Sequence, residues 1–262
     1  MRCLTLASGS SGNCTYIEGS SGALLIDAGL SVRETLSRLR EAGGREDLLQ
    51  GVLVTHEHAD HVKGLGPLAR KLNLPVFATA GTLSRCHDLV ANTRHTVKRS
   101  AVQCHEEFGL GDFIVEPFAI SHDAAEPCGY LVQCGGVTLG YCTDTGVITP
   151  GIMKSLARSD AIVLESNHCL EMLRTGPYPE MLKRRIRSSR GHLSNEDCAA
   201  CIQALGQDIL HIRLAHLSEV NNTPEVALRS GRSGLGLFSH EVTLSVASET
   251  GPSPCWSGEI QL

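Results

Sequence analysis

The segment His56-Glu57-His58-Ala59-Asp60-His61 places three imidazoles and a carboxylate within six positions, directly after the apolar run Val52-Leu53-Val54. An extended strand running into a tight turn aims such side chains into one small volume. Imidazole suits zinc, iron and manganese, and a carboxylate holds or bridges a second ion. Structural zinc sites close four ligands around one ion, whereas catalytic sites keep a position open for water. Four ligand-type residues from one turn, with more His and Asp downstream, point to two ions rather than one. A His-rich surface loop is the alternative, and it leaves the strand that feeds the segment without a purpose.

Several elements must position these groups. Thr15–Ile17 and Ala23–Ile26 read as two strands joined by a Gly-Ser-Ser-Gly turn. Ser31-Val32-Arg33-Glu34 is a capping box before a helical stripe of Val32, Leu36 and Leu39, and Gly43-Gly44 ends that helix. A strand over 51–55 leads into the histidine segment, a helix carries Leu65, Leu68 and Leu72, and Pro75–Ala78 is the next strand. Further strands over 113–120, 137–141, 161–164 and 208–215 end at His122, Asp144, Glu165 and His216, the second of them closing a hairpin around Gly135-Gly136. A single His after a strand is most often unremarkable. Five apolar strands that each end in a ligand-type residue form a pattern, because strand-end loops are where a rigid scaffold presents chemistry.

With 262 residues and 42% hydrophobic content, the chain has enough apolar surface for one large α/β domain over 1–262. Twenty-seven Gly and 4% aromatics fit short loops around sheets rather than a coiled coil or a disordered chain. The formal net charge of -5 excludes a basic coat, so any polyanion must meet a local patch. No apolar run approaches the roughly 20 residues needed to span a bilayer. Met1–Ser10 reads as a first strand and loop rather than a signal peptide, and a cytoplasmic protein is expected. Eleven Cys is an odd number, so reduced, buried thiols are expected rather than a disulfide framework. Cys198-Ala199-Ala200-Cys201 lacks a second CxxC pair and reads as core packing. Thr223-Pro224 opens a helix, and the breaker-rich tail from about Ser248 is expected to be partly mobile.

The order of ligand-type residues resembles the metallo-β-lactamase fold superfamily, which carries an HxHxDH loop and then a single His, Asp and His at strand ends. The resemblance implies that His56, His58 and His122 hold one ion, that Asp60, His61 and His216 hold a second, and that Asp144 bridges them. It also implies an αββα four-layer sandwich of two mixed sheets. Leu6–Asn13, Asp27-Ala28-Gly29-Leu30, Ser121–Pro127, Glu165-Ser166-Asn167-His168, Arg190–Asn195 and His216–Asn222 narrow it to the YycJ/WalJ-type bacterial nucleases, from about residue 3 to about 230. One departure is Cys169, where that group has an acidic residue.

Two divalent ions, zinc or manganese, would clamp both oxygens of a phosphoryl displacement and supply a metal-bound hydroxide nucleophile. A phosphodiester has a poor leaving group and benefits from an acid. His192 in Gly191-His192-Leu193-Ser194 is the candidate acid and Glu165 its orienting partner, similar to ribonuclease Z on the same fold. Asp60, Glu165 and His192 are thus the expected catalytic set. The cluster Lys183-Arg184-Arg185 with Arg187 suggests backbone tracking through Lys183 and Arg187; Ser10 and Asn13 of the Ser-Gly loop and His168 are further substrate-binding candidates. The resemblance implies a 5′→3′ exonuclease on DNA, single strands favoured. An RNA-processing nuclease of the ribonuclease Z type and a small-molecule hydrolase (lactonase, thioesterase or cyclic phosphodiesterase) stand as alternatives, and oligomeric state is left open.

Overall fold

The structure, a computed structural model, describes residues 1–86, 97–206, 209–236, 242–248, 251–253 and 256–257. Two seven-stranded sheets make up its centre. The first contains β1 (Arg2–Ala7), β2 (Cys14–Glu18), β3 (Ala23–Ile26), β4 (Leu49–Leu53), β5 (Val76–Thr79) and β6 (Arg99–Val102). The second contains β7 (Phe108–Leu110), β8 (Phe113–Ala119), β9 (Cys128–Cys134), β10 (Val137–Cys142), β11 (Ala161–Glu165), β12 (His211–Ala215) and β13 (Thr243–Val246). The last strand, β14 (Trp256–Ser257), returns to pair with β1 in the first sheet.

Both sheets are mixed. In the first, β1, β2 and β3 are antiparallel neighbours, while β3 through β6 run parallel. In the second, β7 through β10 are antiparallel and β10 through β13 are parallel. The parallel halves place the carboxyl ends of β3, β4, β10, β11 and β12 on one edge, the usual ligand edge of parallel strands.

Alternation along the strands divides the core into layers. Leu24 and Ile26 of β3, with Ala161 and Val163 of β11, pack between the sheets. Ala23 and Leu25 face the outer layer with Leu36, Leu39, Leu65 and Leu68 of the helices Val32–Glu41 and Leu65–Leu72. Ile162 and Leu164 face the other outer layer with Ile152, Ile202 and Ala227 of the helices Pro150–Leu156, Asn195–Leu205 and Pro224–Leu235. Strands buried on both faces read as continuous apolar runs, as these do. The architecture is the expected αββα sandwich. Among the described residues no helix is long and apolar enough to cross a membrane.

Local signals account for most boundaries. The Ser31 capping box forms, with Glu34 N donating to Ser31 Oγ and Ser31 N to Glu34 Oε2. Thr223 caps its helix, with Pro224 in the first turn. Cys198 and Cys201 are buried core thiols. The strand expected over 51–55 spans Leu49–Leu53 instead. Val54 N still donates to Phe77 O, but Thr55 N donates to Asp27 Oδ1, so the chain leaves the ladder for a side chain. From Ser248 onward, Ser253 N donates to Thr5 O and Ser253 Oγ accepts from Ser248 N. Residues 249–250, 254–255 and 258–262 of the expected mobile tail lie outside the described residues, as does 208 at the start of the strand expected over 208–215.

The turn carrying the histidines is clasped by its neighbours. Asn13 N donates to Asp60 O at 2.7 Å, Ala28 N to His61 O at 2.8 Å and Gly64 N to Ala28 O at 2.8 Å. A Cβ on Gly29 would collide with the Asp60 carbonyl, so only glycine lets the loop after β3 lie against this turn. Gly29→Ala is expected to cost about 1–3 kcal/mol, the scale of an overpacked interior. Urea unfolding of metal-free protein checks this, and an unchanged midpoint would show that the two loops part freely.

Candidate metal centre and active site

The ligand-type residues expected from the sequence converge at the strand ends. In each of the groups His56/His58/His122, Asp60/His61/His216 and His56/His61/Asp144, the potential ligand atoms lie within 4.8 Å of one another. His58 Nδ1 is 3.1 Å from His56 Nε2 and 3.3 Å from His122 Nε2. Asp60 Oδ2 is 3.2 Å from His61 Nε2 and 3.6 Å from His216 Nε2, and Asp144 Oδ2 is 3.4 Å from His61 Nε2.

The hydrogen bonds behind these rings decide which nitrogen each presents. A carboxylate or carbonyl oxygen only accepts, so the ring nitrogen facing it carries the proton. His61 Nδ1 donates to Asp27 Oδ2 at 2.8 Å, His216 Nδ1 to Glu165 Oε1 at 3.0 Å and His122 Nδ1 to Gly191 O at 3.0 Å. Thr55 Oγ1 gives its proton to Asp27 at 2.9 Å, so it accepts from His56 Nδ1 at 3.0 Å. In the neutral form each of these four imidazoles therefore turns an Nε2 without a proton toward the centre. Asp27 orients His61 directly and His56 through Thr55, one histidine from each trio. Asp27 is a functional residue beyond those expected from the sequence; its signal there is a carboxylate at the end of an apolar strand, like the others.

The electrostatics favour cations. Asp27, Asp144 and Glu165 are fully or almost fully buried, and the Asp60 side chain is 23% exposed. Burying several carboxylates is costly unless positive charge accompanies them. Burial works against protonation of His216, yet Asp144, Asp60 and Glu165 outweigh it and push its pKa up to about 10. Burial pushes His56 and His122 down, toward the neutral, ligating form. Asp144 Oδ2 and His216 Nε2 are buried and make no hydrogen bond among the described residues. Hard carboxylates, bare imidazole nitrogens and buried acceptors without donors together fit divalent metal binding.

Backbone strain accompanies the geometry. Asp27, Asp144 and His216 all have left-handed φ, at 61°, 59° and 56°. That conformation costs a non-glycine residue roughly 1–2 kcal/mol, and the surrounding contacts must hold it. For His216, Ser8 Oγ accepts from its backbone N at 2.7 Å.

Glu165 joins the metal centre to a second group. Its Oε1 accepts from His192 Nδ1 at 2.8 Å as well as from His216, while Oε2 accepts from Thr145 N and Leu193 N. Burial disfavours the charged form of Glu165, but His192 and His216 outweigh it and hold the carboxyl well below its usual range. Burial likewise lowers His192, and Glu165 more than reverses this, raising its pKa. His192 keeps 23% of its side chain exposed, and Glu165 holds its Nδ1, which leaves Nε2 for the cleft.

The other candidates divide. Ser10 is exposed and lines the cleft that His192 opens onto. Asn13 is buried, and its amide donates to Gly9 O and to Asp60 Oδ2 at 3.1 Å, so it braces a candidate ligand. His168 is buried beside the His192 loop, and burial pushes its pKa down to about 4. Lys183 is buried and donates to Arg174 O at 2.9 Å, and Arg187 is exposed at the helix end; neither lines that cleft. Arg185 of the basic cluster does line it, as does Tyr178, which carries no sequence signal.

Asp27→Ala removes the acceptor that sets His61 and, through Thr55, His56. It is expected to weaken metal binding by about 10–100-fold, the usual effect of losing such a partner. Chelator competition measures this, and wild-type affinity would show that other contacts hold the two rings.

Residues 23–212 match the beta-lactamase superfamily domain. The chain is 43% identical over 226 residues to exodeoxyribonuclease YycJ of Bacillus anthracis, covering 86% of this chain and 85% of that one. It is 40% identical over 228 residues to exodeoxyribonuclease WalJ of Streptococcus pneumoniae, covering 85% and 83%. Its fold is similar to that of the metallo-β-lactamase fold protein YhfI from Bacillus subtilis, with a TM-score of 0.76 at 15% identity over 98% of this chain and 99% of that one. The matched domain and the extent of these identities show that the chain belongs to the metallo-β-lactamase superfamily, in the group of the YycJ and WalJ proteins.

Proposed function

We propose that this chain is a metal-dependent exodeoxyribonuclease. The observation that carries the reading is His192, held by Glu165 beside the converging ligand groups in a chain 43% identical to an exodeoxyribonuclease. Hydrolysis of a lactone or thioester does not need a dedicated acid, because its leaving group departs readily. A sugar alkoxide does not, and an acid in reach of it gives typically 10²–10⁴-fold.

Two divalent cations, zinc or manganese, are proposed, one held by His56, His58 and His122, the other by Asp60, His61 and His216, with Asp144 shared. Bound there, they supply Lewis acidity toward the phosphate and make water nucleophilic near neutral pH. The chain's own residues do the rest. Asp27 and Glu165 hold the Nδ1 protons of His61 and His216 and so aim their Nε2 atoms inward. Asn13 holds Asp60 from behind. His192, with Nδ1 tied to Glu165 and its pKa raised, carries a proton on Nε2 for the departing sugar oxygen.

Single-stranded DNA and 5′→3′ polarity are part of the proposal and rest on the resemblance to the YycJ/WalJ group. The net charge of -5 calls for a local cationic approach, and the exposed Arg184, Arg185, Arg187 and Arg190 offer one beside the cleft. His192→Ala is expected to keep its metal content and slow release of nucleotides from DNA by roughly 10²–10⁴-fold. Metal analysis and single-turnover digestion of DNA, with matched RNA alongside, check both halves. Loss of metal in the variant would make His192 a ligand, and an unchanged rate would remove the acid from the mechanism.

A further inference from the structure

The cleft onto which His192 opens is a pocket of about 180 Å³, and most of its lining has been given no role above. Tyr178, Leu182 and Ile186 make an apolar wall, the last two one helical turn apart on the helix Glu180–Ile186. Ser10 and Ser218 offer hydroxyls, and His192 also lines the pocket. Arg185 stands among the lining residues with 59% of its side chain exposed, its Nε donating to Asp123 Oδ2 at 2.7 Å. Asp123 adjoins the ligand His122, so this ion pair ties the pocket wall to the metal-bearing loop.

The position of His192 says which part of a substrate belongs here. In phosphodiester hydrolysis water gives up one proton to solvent as its oxygen bonds to phosphorus, and the bond from phosphorus to one sugar oxygen breaks. The electron pair stays on that oxygen, which takes the proton from His192. The nucleoside bearing that oxygen therefore sits against His192, on the side of the pocket. The volume is below the roughly 300–1,000 Å³ of a drug-sized ligand site, which suits one base rather than a run of nucleotides. An aromatic ring with flanking aliphatic side chains is a surface on which any base stacks, without sequence preference.

We infer that this pocket receives the nucleoside on the leaving-group side of the scissile phosphate, its base against Tyr178 and Leu182, with Arg185 steadying the adjoining backbone. The inference rests on the nuclease reading and adds to it a residue, Tyr178, that determines how the departing nucleotide is gripped. It holds for either polarity of digestion, because the acid defines the leaving side.

The test compares DNA that is intact with DNA that carries an abasic tetrahydrofuran unit at the leaving nucleotide, using metal-loaded wild-type protein, Tyr178→Ala and Tyr178→Phe. Loss of one stacked base lowers kcat/KM by about 10–100-fold. Wild type is expected to show that loss on the abasic substrate, Tyr178→Ala to show it on the intact one, and the two losses not to add. Tyr178→Phe is expected to behave as wild type. A binding readout accompanies this: 2-aminopurine at the leaving nucleotide changes fluorescence on binding metal-stripped wild type and not on binding metal-stripped Tyr178→Ala. Equal rates on intact and abasic DNA, an equal loss on both in Tyr178→Ala, or fluorescence unaffected by Tyr178 would overturn the pocket and leave the nuclease standing. Failure of metal-loaded wild type to degrade any DNA would overturn both.

Discussion

The centre of this protein depends on where the protons of its imidazoles sit. A histidine ligates through a bare nitrogen, and the bare nitrogen is chosen by whatever accepts from the other one. Asp27 makes that choice for His61 and, by way of Thr55, for His56; Glu165 makes it for His216. Both carboxylates stand at strand ends, Asp27 just after β3 in one sheet and Glu165 as the last residue of β11 in the other. The two sheets thus supply matching halves of one proton pattern, and the site exists only where their edges meet.

That pattern explains why so much polar surface is buried without collapse of the fold. Carboxylates in an apolar interior are tolerated when hydrogen-bonded and accompanied by positive charge. Here each carboxylate faces imidazoles, and the ligand atoms left unbonded in the middle suit cations. The strained backbone at Asp27, Asp144 and His216 lies at the same place, and such strain persists only where the surrounding contacts hold it. Glu165 extends the pattern outward. By accepting from His216 and His192 through one oxygen, it fixes the proposed acid relative to a candidate ligand.

Much of this was legible in the chain. Apolar strands are written as continuous runs, and the polar residue that ends each run is the one the fold presents; His56, His122, Asp144, Glu165 and His216 were readable for that reason. What was not legible needed distance information. Asp27 ends a strand as plainly as Glu165 does, but its role emerges only because β3 lies beside β4 and brings it under Thr55 and His61. Asn13 looked like a loop residue open to substrate because its neighbours are Ser and Gly, whereas the loop folds inward and its amide serves Asp60. Lys183 belongs to a basic cluster in sequence, yet its ammonium is taken by the Arg174 carbonyl, a contact that helix spacing does not reveal. Tyr178 carries no motif and acquires meaning only from the cleft it borders.

A paired metal centre is the claim on which the rest turns. The direct measurement is a stepwise titration of metal-free protein with manganese or zinc, following bound metal per chain and the release of nucleotides from end-labelled single-stranded DNA in the same samples. Two ions are expected to bind, with digestion appearing as the second site fills and nucleotides leaving singly from the 5′ end. Full activity at one ion per chain, or two ions bound with no DNA degraded, would contradict a dinuclear exonuclease.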